Sequence, residues 1–253
     1  MKAPRAVIFD LDNTLAEAFQ PLQPHVTRGL HDLLEHVPVA VMTGASIERL
    51  EEHFFPSLPD HIDKTRVYLF PDTCAQCFVW KDNDWRSVYT FSFTEEEYRT
   101  ILAALSAGIE ETGILKDAPQ WGERVLARNV QITLAALGID ASPDAKAAWD
   151  PTREKRAKLK AFLDPLLPGF DVRISGRTAI DITRTGINKA YGVKWLAKHL
   201  GLSPSDMLFV GDDLSEGGND AMVIPTGIQT RQVKGPHEVA DVIDEIVASC
   251  KAV

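Results

Sequence analysis

The stretch Arg5-Ala6-Val7-Ile8-Phe9-Asp10-Leu11-Asp12-Asn13-Thr14 passes from an unbroken apolar run straight into acidic and hydroxyl side chains. A short apolar run without alternation suits a strand covered on both faces, as in a parallel sheet. Polar residues placed directly after it stand beyond the strand's carboxyl end, where open parallel sheets bind their ligands. Fold and candidate site are thus read from one segment, and the rest of the chain is ordered around it.

Beyond this stretch, Val26, Leu30, Leu33, Leu34 and Val37 recur at helical intervals. Residues 38–42 predict a second buried strand ending at Thr43-Gly44, with Ser46 capping a helix to about His53. Residues 66–70 predict a third strand, stopped by Pro71. This alternation predicts an α/β fold with a doubly wound, mostly parallel, Rossmann-like core.

The pattern then changes. Residues 77–93 read as a hairpin turning at Asp82-Asn83-Asp84, and Thr94 with Glu97 forms a capping box for a helix over 95–112. Strands follow at 123–127 and 129–137, a charged helix opens at Asp150-Pro151, and a second hairpin joins 170–174 to 178–183. Hairpins with helices predict an inserted α+β domain over 84–184, inside a core formed by 1–83 and 185–253. Core alternation resumes with a helix over 189–200 capped by Asn188 and a strand over 207–210. A short helix, a strand near 223–228 and a helix near 237–249 complete it.

The chain has 253 residues and a formal net charge of −9. That balance argues against nucleic-acid binding, which needs a basic face to displace counterions. No apolar run is long enough for a membrane span, and no signal segment opens the chain, so a cytoplasmic protein is expected. Cys74 and Cys77 form a CxxC without a second ligand pair, and Cys250 lies in the C-terminal tail. Structural thiols are expected rather than a zinc or redox site.

Several strand ends and one helix start carry the chemistry. Asp10 and Asp12 follow the first strand, Thr43-Gly44 the second, and Gly211-Asp212-Asp213 the strand near 207–210, while Lys189 opens the helix before it. Crowded carboxylates repel one another, and a hard divalent cation such as magnesium relieves the repulsion. Asp10, Asp212 and the main-chain carbonyl of Asp12 are the candidate ligands. Asp10 facing a phosphorus atom is a credible nucleophile. Asp12 is placed to protonate the leaving oxygen and then activate water. Thr43 and Lys189 would hold the phosphoryl oxygens.

These motifs resemble the haloacid dehalogenase superfamily of phosphohydrolases. Asp10-Leu-Asp-Asn-Thr-Leu15 is similar to its first motif, Thr43-Gly44 to the second and Lys189 to the third. Gly211-Asp212-Asp213 with Asn219-Asp220 is similar to the fourth. Asn13 stands where many members have glycine, and asparagine tolerates a left-handed backbone. The loop 209–220, with its Gly-Gly-Asn-Asp ending, resembles in particular the eukaryotic-type phosphomannomutases of the type IIB branch. The resemblance implies a Rossmann-like core carrying a cap domain that closes over the site, and a magnesium cofactor. It adds Asn219 and Asp220 to the metal residues and Gly44, Arg128, Lys146, Arg177 and Asp181 to the substrate-binding ones. By the same resemblance a homodimer is expected.

Departures from the mutase pattern bear on activity. Lys146 and Ile139 stand where the resemblance leads one to expect arginines for a second phosphate, and Ala179 replaces a sugar-binding serine. Lysine is the poorer bidentate clamp. Arg177 and Arg184 are cations in the same region that would compensate. The expectation is therefore a phosphatase of a small phosphorylated metabolite, a sugar phosphate above all. A phosphomannomutase-like isomerase is the rival. A non-catalytic phosphosugar-binding protein ranks last, because Asp10 and Asp12 are both present.

Overall fold

The computed structural model describes residues 3–18, 20–58 and 62–251. The chain forms two compact units, Met1–Thr90 with Asn188–Val253, and Phe91–Ile187.

In chain order the first unit opens with β1 (Ala6–Phe9), α1 (Pro24–His36), β2 (Val39–Met42), α2 (Ile47–His53), β3 (Val67–Phe70), β4 (Gln76–Lys81) and β5 (Asp84–Thr90). The second unit holds α3 (Glu95–Thr112), β6 (Val125–Ala127), β7 (Ile132–Ala135), α4 (Pro143–Trp149), α5 (Glu154–Leu163), β8 (Phe170–Ser175) and β9 (Ala179–Arg184). The chain then returns to the first unit with α6 (Lys189–Leu200), β10 (Met207–Gly211), β11 (Gln229–Gln232) and α7 (Pro236–Lys251).

The first unit is a seven-stranded sheet ordered β11-β10-β1-β2-β3-β4-β5. It is parallel from β11 to β3 and antiparallel at β4 and β5. The apolar run of β1 is divided by its pleat. Val7 and Phe9 enter a core with Val26 and Leu30 of α1, Leu50 of α2 and Val239 of α7. Ala6 and Ile8 enter the opposite core with Val193 and Leu196 of α6. Helices therefore cover both faces, which is why the strand reads as continuously apolar.

The second unit is an antiparallel sheet ordered β6-β7-β9-β8. Ile132, Leu134, Val172, Ile180 and Ile182 pack on Ile101 and Leu105 of α3 and on Leu159 and Leu163 of α5. The capping box of α3 is present, with Thr94 accepting from Glu97 N–H and Glu97 accepting from Thr94 N–H.

Several boundaries differ from expectation. β5 pairs with β4 in the large sheet, so the first unit runs to Thr90 rather than 83, and the second extends to Ile187 rather than 184. The Asp-Asn-Asp stretch is a tight turn inside that sheet, with Asp82 and Asn83 left-handed at φ 53° and 58°. A composition shift marks a turn and a domain boundary in the same way. Asp150-Pro151 does not open a helix. Asp150 instead accepts from the backbone N–H groups of Lys155 and Arg156, at the start of α5. The apolar residues at 221–226 form 3₁₀ turns rather than a strand. Pro225 lacks the donor for a ladder and Gly227 is left-handed at φ 81°, so pairing waits until Gln229. No helix among the described residues is long and apolar enough to cross a membrane.

Candidate active site

The parallel register aligns the strand ends. Phe9 of β1 pairs with Val210 of β10 and Val41 of β2, and Asp10 N–H donates to the Val210 carbonyl at 3.0 Å. Asp10, Thr43 and Asp212 therefore leave their strands along one edge of the sheet. Lys189, the first residue of α6, is positioned from the side by Asn188, whose side chain accepts from Tyr191 N–H and caps the helix.

Asp10 and Lys189 are 4% and 1% exposed, which makes both inaccessible to bulk solvent. Lys189 Nζ donates to Asp10 Oδ1 at 2.6 Å and to Asp220 Oδ1 at 2.5 Å. Asp220 Oδ2 in turn accepts from Asp213 N–H at 3.2 Å. The Gly-rich loop is required by these distances. A Cβ on Gly211 would lie 2.3 Å from Asp220 Oδ2, and one on Gly218 would lie 2.1 Å from the Asp213 carbonyl. Only glycine lets the loop fold back so that Asp220 passes close to Gly211 and reaches Lys189.

One carboxylate oxygen from each of Asp10, Asp212 and Asp220 lies within 4.8 Å of the other two. Burial pushes the Asp10 carboxyl well above its ordinary range, Asp220 and Asp212 add to this, and Lys189 opposes it. Burial and the charge of Asp220 push Asp212 up to about 6. Burial works against the Lys189 ammonium, but Asp10 and Asp220 together outweigh it and hold Lys189 protonated, above its ordinary range. A single ammonium among three carboxylates leaves excess negative charge in a buried site. That donor set of hard oxygens fits a divalent cation such as magnesium.

The remaining expected residues fall in distinct places. Thr43 is 1% exposed, and its Oγ1 accepts from Ala45 N–H at 3.0 Å beside Gly44. The hydroxyl hydrogen is left to donate. Asn219 is held through its N–H to Asp213 Oδ2 at 3.4 Å. Asp12 lies outside the carboxylate group and is gripped by Arg49, with Nη1 to Oδ2 at 3.0 Å and Nη2 to Oδ1 at 2.5 Å. Asn13 beside it is left-handed at φ 61°, the conformation its residue type allows.

Arg128, Lys146, Arg177 and Asp181 all belong to the second unit. Asp181 is on the face of β9 opposite Ile180 and Ile182, in register with Thr133 and Arg173. It accepts from Thr133 Oγ1 at 2.6 Å and from Gln131 Nε2 at 3.2 Å. Arg128 donates its backbone N–H to the Gln131 carbonyl. Lys146 Nζ donates to the Ile139 carbonyl at 2.8 Å, and Arg177 reaches the Pro143 carbonyl at 3.4 Å. Arg184 is committed to Glu97 and to the Ser92 carbonyl, so it does not stand as an open replacement for a missing arginine. Its guanidinium and the Thr94 N–H hold Glu97 down at about 2.

Sequence reasoning missed two features. Arg49 belongs to no motif. The loop after β3 places Asp72, Thr73 and Cys74 consecutively in the left-handed region, at φ 50°, 53° and 67°. Each such residue costs of order 1–3 kcal/mol, and the strain is held by Thr73 N–H to the Thr43 carbonyl and Asp72 N–H to the Ala45 carbonyl, both 2.8 Å. The loop thus braces the backbone that presents Thr43. Proline at 71 signals a strand end but not this conformation. Cys74 and Cys77 are buried, and burial pushes the Cys74 thiol up to about 12, which suits inert structural thiols.

A family model of haloacid dehalogenase-like hydrolases matches residues 129–221, a span that holds Lys189, Asp212 and Asp220. A probable phosphomannomutase of Caenorhabditis elegans is 22% identical over 259 residues, covering 95% of this chain and 94% of that protein. A phosphomannomutase of Spinacia oleracea is 23% identical, covering 87% of each. Among solved structures, an IMP-bound Plasmodium falciparum IMP-nucleotidase superposes with a TM-score of 0.68 at 16% identity, over 98% of this chain and 68% of that one. The C-terminal domain of Candida albicans trehalose-6-phosphate phosphatase gives 0.67 at 15% identity, over 97% and 93%. At such identities the structural likeness establishes the fold.

Proposed function

We propose that the chain, which fits the haloacid dehalogenase superfamily with a phosphomannomutase resemblance, is a magnesium-dependent phosphatase of a small phosphorylated metabolite, a sugar phosphate above all. The observation that carries the reading is the buried Lys189 bridging Asp10 and Asp220, with Asp212 alongside.

Lys189 holds Asp10 Oδ1, which leaves Oδ2 as the attacking atom. Oδ2 forms a bond to phosphorus while the bond to the leaving oxygen breaks, and Asp12 gives that oxygen a proton. Asp12, now ionised, takes a proton from water. The water oxygen attacks the aspartyl-phosphate, releasing inorganic phosphate and restoring Asp10. The Thr43 hydroxyl and the Lys189 ammonium neutralise charge on the phosphoryl oxygens. Magnesium held by Asp10, Asp212 and the Asp12 carbonyl, with Asp220 and Asn219 supporting the loop, would offset the charge of the carboxylates and the phosphoryl group.

A mutase is the second reading, favoured by the names of the sequence relatives. It requires cations for a second phosphate, which the family resemblance places among residues 91–187. There Arg184 is engaged by Glu97, Arg173 by Asp171 at 2.6 Å and Lys146 by the Ile139 carbonyl. These engagements favour hydrolysis. The test mixes the protein with magnesium, mannose 1-phosphate and a catalytic amount of the 1,6-bisphosphate, then scores phosphate and 6-phosphate together. Phosphate release with little isomer supports the phosphatase. Rapid isomerisation with negligible phosphate establishes the mutase.

A further inference from the structure

We propose that Arg49 is the positioning residue for Asp12, fixing the carboxylate that moves the proton; the inference rests on the reading of Asp12 as general acid and base. The loop after β1 is closed by its own backbone. Asn13 N–H donates to the Ala16 carbonyl at 2.7 Å, and the N–H groups of Leu15 and Ala16 both donate to the Leu11 carbonyl at 3.0 Å. These bonds fix the backbone of Asp12, and the Arg49 guanidinium acts on its side chain. The guanidinium meets both carboxylate oxygens at once, at 3.0 and 2.5 Å, and a planar fork on a planar carboxylate sets direction as well as distance.

The anchor of the fork is rigid. Arg49 belongs to α2, whose neighbouring Leu50 is fully buried in the core beneath β1 and β2. The connection from β2 into α2 carries Thr43, so one β2–α2 unit supplies both the hydroxyl proposed to hold a phosphoryl oxygen and the clamp on Asp12. The Arg49 and Asp12 side chains are 14% and 28% exposed, so the pair is partly withdrawn from water and more than a screened surface contact. Lysine offers a point charge without the fork, so it would keep the attraction and lose the direction.

The test compares wild type, Arg49→Ala, Arg49→Lys, Asp12→Ala and the Arg49→Ala/Asp12→Ala double variant on two esters with magnesium. Phenyl phosphate has the poorer leaving group and needs the proton more than para-nitrophenyl phosphate does. Misplacement of a catalytic group by about 1 Å costs on the order of a hundredfold, so Arg49→Ala should lose roughly 10- to 100-fold in kcat on phenyl phosphate. The loss on para-nitrophenyl phosphate should be several-fold smaller, KM should hold on both, and Arg49→Lys should recover little. The double variant should be no slower than Asp12→Ala. A denaturant midpoint for each variant shows that it is folded, and Arg49→Lys carries the comparison if Arg49→Ala is not. An Arg49 loss that is equal on the two esters, or that multiplies with the Asp12 loss, overturns the assignment while leaving the acid–base role of Asp12 intact. An Asp12→Ala variant with equal losses on both esters, or a wild type that hydrolyses neither, overturns the parent reading and this inference with it.

Discussion

The ammonium of Lys189 lies 2.5 Å from Asp220 Oδ1, with both side chains sealed from solvent. Asp10 Oδ1 lies on the same ammonium at 2.6 Å, so this one cation supports the proposed nucleophile and its buried neighbour together. Lys189→Met would strand both carboxylates. Breaking a buried pair by removing one partner costs about 3–5 kcal/mol, and loss of turnover should accompany it. The pH dependence follows from Asp10. A carboxyl raised in the folded state above its ordinary 3.8 contributes stability below that value and loses it as pH rises through the folded pKa. The variant's deficit in urea unfolding should therefore be larger at pH 8 than at pH 4. A deficit independent of pH would count against the pairing.

Cation binding should show a matching titration. Asp212 is pushed up to about 6 in the cation-free protein, and only its ionised form is a strong ligand. Magnesium should therefore raise the melting temperature more at pH 7.5 than at pH 5, and Asp212→Asn should abolish most of that rise. Chelation should silence turnover and added magnesium restore it. A magnesium shift of equal size at both pH values would remove Asp212 from the ligand set.

Gly211 tests the architecture of the loop. An added Cβ would sit 2.3 Å from Asp220 Oδ2, which cannot move without releasing Lys189. Overpacking of this kind costs about 1–3 kcal/mol, so Gly211→Ala should still fold yet lose most of its kcat. Wild-type kinetics in that variant would show that the Asp220–Lys189 contact is dispensable.

The second unit should be acid-sensitive through Glu97. Its carboxyl is held at about 2 against an ordinary 4.5, chiefly by Arg184 and the Thr94 N–H. A depressed pKa contributes stability that is present above 4.5 and lost as pH falls towards 2. Glu97→Gln should therefore be less stable than wild type at pH 6, with the difference closing by pH 2 to 3. A difference that persists unchanged to low pH would assign the effect to packing.

Much of this was legible because the core obeys strong local rules. The apolar run 6–9 is buried on both faces, the Thr94 capping box forms as spaced, and Asn188 caps the helix that Lys189 opens. Asp10, Thr43, Lys189 and Asp212 could be placed because strand ends and helix starts carry recognisable punctuation. The motif marks Asp220 as a metal residue, and the fold also makes it the partner of Lys189, a contact across 31 residues that no spacing rule reaches. Arg49 was invisible for the same reason, since its bond to Asp12 spans 37 residues. The first unit runs past 84 to Thr90 because Asp82 and Asn83 mark a tight turn, and sheet membership of the next strand depends on pairing rather than on local composition.

In the proposed reaction Asp10 carries the phosphoryl group. Wild-type protein should be mixed with magnesium and a phosphate-labelled sugar phosphate, quenched in acid within milliseconds, and digested for peptide mapping. The account predicts a hydroxylamine-labile acyl-phosphate on the peptide containing Asp10, absent in Asp10→Asn, whose folding should be unchanged while turnover is abolished. Label on another residue, or substantial turnover by a clean Asp10→Asn preparation, would contradict it.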